Sequence, residues 1–222
     1  MRTYRSAVQI LVGVVCAFAV PLYASAAPIL NGSFEQGAFA DTGAPNDGTM
    51  SLPAGSTAID NWTVTADTIA WIESPNIWGL APEDGNFFLD LTNLEAGAPF
   101  GGVTQTIATI PGDNYILSFY LGSYTARWGG PPSILATAGT ASQTCTNPTP
   151  TTQSTWTLCT VPFTAVSSMT AITLAGTTGF NYIGLDNVSV TPAAAPVPEP
   201  SSILLLGLGA AGMLARARRP LV

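Results

Sequence analysis

Between residues 28 and 190 this chain holds no stretch in which apolar residues return every three or four positions; it breaks into short alternating runs. In 115–121, Tyr115, Leu117, Phe119 and Leu121 share one face. That two-residue period belongs to a strand with one side in a core. Comparable runs occupy 29–34, 62–65, 68–72, 86–91, 103–109, 134–138, 155–163, 171–176 and 182–190. Turn formers separate them: Asp84-Gly85-Asn86, Pro111-Gly112-Asp113-Asn114 and Gly129-Gly130-Pro131-Pro132. About ten short strands and no helical period predict an all-β fold, an antiparallel sandwich of the jelly-roll kind. An up-and-down barrel is the alternative. Residues 41–58, rich in Gly, Pro and Ala, read as one long loop.

The two ends follow other rules. Residues 1–26 run from basic (Arg2, Arg5) through an apolar stretch to Ala24-Ser25-Ala26. This is the layout of a secretory signal peptide, with cleavage between Ala26 and Ala27; an uncleaved membrane anchor is the alternative. The predicted domain fills 27–191, a length that suits one core. Residues 192–200 form a Pro-rich, extended linker. Then come an apolar run over 201–215 and a basic end, Arg216, Arg218 and Arg219. As a helix, fifteen residues reach about 22 Å, short of a hydrocarbon core of roughly 30 Å. The arginines would hold their end in the cytoplasm. The segment therefore reads as a short transmembrane helix that holds the chain in a membrane only while it is sorted.

Charge narrows the function classes. The domain carries twelve acids against Arg127 alone, a net charge of −11. Nucleic acid is excluded as a partner, because nothing could neutralise phosphates. The chain has no His, so neither a Ser-His-Asp triad nor a His-metal centre can form. Paired carboxylates could still hydrolyse glycosides. Glu73, Glu83, Asp84 and Glu95 are available for that. Loop acids are usually only solvated, so the domain is expected not to be an enzyme. Two cysteines, Cys145 and Cys159, remain once Cys16 leaves with the signal peptide. In an exported chain an even pair predicts one disulfide. Closing about fifteen residues would stabilise the fold by roughly 3 kcal/mol. Two free thiols are the alternative.

The tail, Val197-Pro198-Glu199-Pro200-Ser201 with its apolar run and arginines, resembles the PEP-CTERM sorting signal of Gram-negative bacteria, here over 197–222. The resemblance implies recognition of Val197, Pro198, Glu199 and Pro200 by an exosortase-type membrane enzyme. It also implies an inner-membrane-anchored intermediate and delivery to the cell surface or extracellular matrix. The domain resembles galactose-binding-like jelly rolls, akin to carbohydrate-binding modules. The matching stretches are Asn31-Gly32-Ser33-Phe34-Glu35, residues 84–91, Gly102-Val103-Thr104-Gln105-Thr106, residues 111–115 and Leu185-Asp186-Asn187-Val188. Related modules keep a structural calcium ion between their first and last strands, which would fall on Glu35 and Asp186. Calcium takes several hard oxygens, and a carboxylate from each end plus carbonyls would supply them. The plainer reading has Glu35 accepting loop amides and Asp186 serving a turn.

Aromatic residues in polar loops are the second constellation. Trp78, Tyr124 and Trp128, with Arg127, suit a glycan or exopolysaccharide: rings stack on sugar C–H faces and a guanidinium holds a carboxylated sugar. Trp62 and Trp71, among apolar neighbours, read as core. A structural matrix or biofilm protein without a specific ligand is the competing function.

Overall fold

The structure is a computed structural model and describes residues 28–42, 47–148 and 153–193. The signal peptide with its Ala26–Ala27 junction lies outside the described residues. So do the Val197-Pro198-Glu199-Pro200 motif and the short tail helix. Among the described residues no helix is long and apolar enough to cross a membrane.

The strands are β1 (Thr49–Pro53), β2 (Thr63–Ala66), β3 (Thr68–Glu73), β4 (Phe87–Asp90), β5 (Gly102–Ala108), β6 (Asn114–Ser123), β7 (Ser133–Ala138), β8 (Ala141–Thr146), β9 (Thr155–Thr164), β10 (Met169–Thr178) and β11 (Gly184–Pro192). One short helix, α1 (Thr125–Trp128), follows β6. The strands form two antiparallel sheets, a six-stranded one in the order β1-β3-β4-β11-β6-β9 and a five-stranded one in the order β2-β5-β10-β7-β8. The expected sandwich is therefore what forms. The barrel alternative fails because each sheet keeps two edges of its own, β1 and β9 in one, β2 and β8 in the other.

The period-two reading explains the core. On β6, Tyr115, Leu117, Phe119 and Leu121 are all at most 1% exposed and point between the sheets. Val161 and Phe163 of β9, Leu185 and Val188 of β11, and Ile172 and Leu174 of β10 meet them there. Tyr115 stacks on Phe163 with ring centres 5.4 Å apart. Its hydroxyl accepts the Ile110 amide at 3.0 Å, which gives the buried oxygen a partner. Trp62 and Trp71 are core, as read; their indoles donate to the carbonyls of Asn31 (2.9 Å) and Phe34 (3.0 Å).

Three local readings change. Residues 29–34 form no strand: Asn31 and Phe34 take φ of +53° and +57°, and the Asn31 side chain accepts the Gln36 amide at 3.0 Å, closing a turn. Within the supposed 41–58 loop, residues 49–53 make β1, which pairs β3 from Thr49↔Ile72 to Pro53↔Thr68. The polar run 141–146 makes β8, an edge strand paired only with β7.

Candidate functional site

Alternation gives the six-stranded sheet an outer face as well. There β3 places Ala70 and Ile72, β4 Phe88 and Asp90, β11 Gly184 and Asp186, β6 Tyr120 and Gly122, and β9 Trp156 and Leu158. An outer face ordinarily meets water, yet Ala70, Ile72, Phe88, Asp90 and Asp186 are all at most 1% exposed. Loops have closed over it. Leu80 and Tyr182 complete a second apolar cluster with Ala70, Ile72 and Phe88, and Trp78, Leu94, Tyr124 and Trp156 pack on it half-buried.

The cover depends on a glycine pair. Gly122 and Gly184 face each other across β6 and β11. A Cβ on Gly184 would lie 2.4 Å from the Tyr182 hydroxyl, and one on Gly122 would lie 2.7 Å from the Trp156 ring. Only bare backbone lets Tyr182 and Trp156 settle there. Phe88 then takes Trp156 and Tyr182 edge-on, at 5.9 and 6.4 Å.

Carboxylates tie the loops down. Asp90 Oδ1 accepts the amides of Ile183 (2.8 Å) and Thr92 (3.0 Å), and Oδ2 accepts the Leu94 amide (2.8 Å) and the Thr92 hydroxyl (2.9 Å). This fixes the turn at Asn93 and Leu94, both at positive φ. Burial pushes the Asp90 carboxyl up to about 6, against the pull of those amides. Asp186 Oδ2 accepts the amides of Glu83 (2.7 Å) and Asp84 (3.0 Å), and Oδ1 accepts that of Asn187 (2.7 Å). Burial raises it to about 7. Tyr182, beside both acids, is raised well above its ordinary value, by burial first and by Asp90 second. Glu35 Oε1 accepts the amides of Asn86 (2.9 Å) and Phe87 (2.7 Å). Its carboxyl carbon would lie 2.4 Å from a Cβ on Gly85, whose φ is +68°.

Glu35 and Asp186 do meet, as two clamps on one loop, 83–87. Their partners there are N–H groups, the complement of an anion, not the oxygens a calcium ion requires. Both Asp186 oxygens and Oε1 of Glu35 accept amides. No group of three or more Asp, Glu, His or Cys among the described residues could hold a metal ion. The amide-accepting alternative read from the sequence describes this geometry.

Two of the aromatics singled out from the sequence come together. Trp78, from the 74–83 loop, and Tyr124, just ahead of α1, pack on the same outer cluster. Exposed Arg127 reaches the 74–83 loop, its Nη1 lying 3.3 Å from where a Gly79 Cβ would stand. Trp128 closes α1, but its side chain lies outside the described residues. Trp156 joins the group by donating its indole N–H to the Ala81 carbonyl at 3.0 Å. Reasoning from sequence missed it, although a Trp amid polar residues of an edge strand was a usable signal. Asp90 was missed too; its signal was a lone acid closing the apolar run Phe87-Phe88-Leu89. Exposed Ile77 and Phe180 flank the group, Phe180 against Gly129 at the end of α1.

Of the candidate hydrolytic acids, Asp84 accepts the Ser33 hydroxyl (2.8 Å) and Glu83 accepts the Asn187 side-chain amide (2.7 Å). Cys145 and Cys159 do come together, both 7% exposed in the core between the sheets.

Comparison with known proteins adds family and fold context. A family model described as "Protein of unknown function (DUF642)" matches residues 27–181, and one for the PEP-CTERM protein-sorting motif matches 196–219. No curated protein matches the sequence. Among solved structures, the isomalto-dextranase of Arthrobacter globiformis T6 complexed with panose is 19% identical over 64% of this chain, with a TM-score of 0.42. This chain spans 23% of that enzyme's length. A family 35 carbohydrate-binding module from Clostridium thermocellum is 12% identical over 65% of this chain and 99% of its own, TM-score 0.43. The CBM22-1 xylan-binding domain from Paenibacillus barcinonensis is 15% identical over 66% of this chain and 95% of its own, TM-score 0.38.

Proposed function

The chain belongs to the DUF642 family and ends in a PEP-CTERM sorting motif, and from that premise we propose that it is an exported, non-catalytic carbohydrate-binding protein of the cell surface or extracellular matrix. The motif marks a protein exported and sorted at the membrane. An exosortase-type enzyme of a Gram-negative cell would act at Val197-Pro198-Glu199-Pro200, and the released domain would bind exopolysaccharide.

One observation carries the binding reading. Trp78, Tyr124 and Trp156, from three separate segments, converge half-exposed on the outer face of one sheet beside the only cation of an acidic domain. Core aromatics need no such neighbour. Ring faces at a surface suit the C–H faces of sugars, and Arg127 suits a uronate carboxylate, which it can bind with two parallel hydrogen bonds. The domain's net charge of −11 would otherwise repel an anionic polymer, so Arg127 would mark where such a polymer is admitted.

The test is binding of the full exported chain to a panel of neutral and uronate-containing polysaccharides. Saturable binding is expected. Trp78→Ala should weaken it at least about tenfold, the loss of one good stacking contact. Arg127→Gln should weaken binding of the uronate polymers more than of the neutral ones, with its melting temperature checked beside the parent's. Silence across the panel, or variants that bind as the parent does, would overturn the reading in favour of a structural matrix protein. Sugar release from the panel would overturn the non-catalytic part.

A further inference from the structure

The sandwich has two sides where the edges of its sheets face each other. On one, the segment 54–62 joins β1 to β2 and the backbone there is hydrogen-bonded: Gly55 N–H to the Val64 carbonyl at 2.8 Å, Val64 N–H to the Ser56 carbonyl at 3.0 Å and Ser56 N–H to the Pro53 carbonyl at 3.0 Å. On the other, β8 ends the five-stranded sheet and β9 ends the six-stranded sheet. These two strands follow each other in the chain but do not pair; β8 bonds only to β7 and β9 only to β6. Cys145 stands opposite Ile134, Cys159 stands opposite Phe119, and both point into the core. Both are free thiols in one core cluster, and Cys159 interacts with Cys145 there. No other cysteine occurs in the domain.

We propose that Cys145 and Cys159 form an intramolecular disulfide that fastens the two sheets together at their open side. The strands it joins belong to different sheets. Edge strands are where a sandwich peels and where foreign strands add. A covalent tie at β8 and β9 does there what backbone hydrogen bonds do at β1 and β2.

The chemistry balances with a disulfide oxidant of the thiol-exchange class, as found in export compartments. One thiolate attacks the oxidant's disulfide, breaking that S–S bond and releasing one oxidant thiolate. The second cysteine thiolate then displaces the other oxidant sulfur from the mixed disulfide. Two S–H bonds are lost, one S–S bond forms, two protons are released, and the oxidant takes two electrons. Burial pushes the Cys159 thiol far above its usual range, so exchange in the closed fold is slow. The bond therefore forms while the chain folds.

The inference rests on the export reading only for its oxidant, and two preparations separate the two. The full chain is recovered after export, and separately made in a reducing cytoplasm and refolded with oxidised glutathione. In each, denatured protein is alkylated with and without prior reduction, and the bridged peptides are mapped. Both preparations should show a 145–159 bridge, with these thiols labelled only after reduction. A bridge in the refolded chain alone would uphold the pairing and count against export to an oxidising compartment. Labelled thiols, or bridges between chains, in the refolded protein would overturn the pairing. As a second readout, a reductant should lower the melting temperature of the parent by about 10 °C. It should leave the double variant Cys145→Ser with Cys159→Ser unchanged; an equal response from both also overturns the proposal.

Discussion

Both faces of the six-stranded sheet bury side chains, but by different means. Its inner face is an apolar layer, Trp71, Leu89, Leu185, Phe119 and Leu121, sealed against the second sheet. Its outer face mixes Phe88 and Ile72 with two carboxylates, two glycines and a phenol, sealed by loops. The inner face needs only contact area. The outer face also buries the carboxylates of Asp90 and Asp186, and loop donors meet their oxygens, because an unmatched buried charge would cost more than the contacts return. Stability therefore resides in the first, and loop placement, hence the candidate site, in the second.

Truncation on the inner face should have the largest effect. Phe119→Ala, at a wholly buried position, should cost about 3–5 kcal/mol, read as a lowered denaturant midpoint. A cost below about 1 kcal/mol would erase the distinction between the faces.

Next comes pH, which acts only on the outer face. Asp90 and Asp186 have folded-state values raised to about 6 and about 7 from an ordinary 3.8. The fold thus prefers their protonated forms. Their contribution is fully present below pH 3.8 and is lost as pH rises through 6 and 7, amounting for Asp90 to roughly 3 kcal/mol. Melting temperature should rise as pH falls from 8 toward 5. Asp90→Asn should flatten that slope, and an unchanged slope would show that Asp90 does not titrate in this range.

The smallest effect separates amide clamps from metal. Glu35→Gln should cost about 1 kcal/mol by weakening two charge-assisted bonds to the 83–87 loop. A chelator should leave the parent's melting temperature unchanged; a fall of several degrees would restore calcium at Glu35 and Asp186.

Alternation made much of this readable beforehand. Nine of the eleven strands coincide with runs read by period two, and the inward set on β6 was read residue by residue. The residues that failed share a cause. β1, with Pro53 and few apolar positions, is a strand only because β3 supplies its partners. β8 buries little besides Cys145, so its sequence looks like any polar loop. Residues 29–34 alternate but bend, because the Asn31 side chain satisfies a backbone amide locally. Within the site, Trp78, Tyr124 and Arg127 were readable as aromatics and a cation in polar loops. Trp156 and Asp90 carried only weaker signals, a Trp among polar residues and a lone acid closing an apolar run, since nothing local marks a residue on the outer face as covered.

By itself the sequence determined the class of fold, the charge, the absence of histidine chemistry and the sorting address, because each depends on residue type or short-range order. Only the tertiary structure decided which partners those residues met. It made Glu35 and Asp186 clamps on one loop, set Cys145 and Cys159 across two sheets, and drew three distant aromatics onto one surface. The physical reason is the same in each case. A carboxylate, a thiol or a ring is defined chemically by its sequence position, but its energy depends on what stands within about 4 Å of it, and in a sandwich those neighbours come from strands far away in the chain.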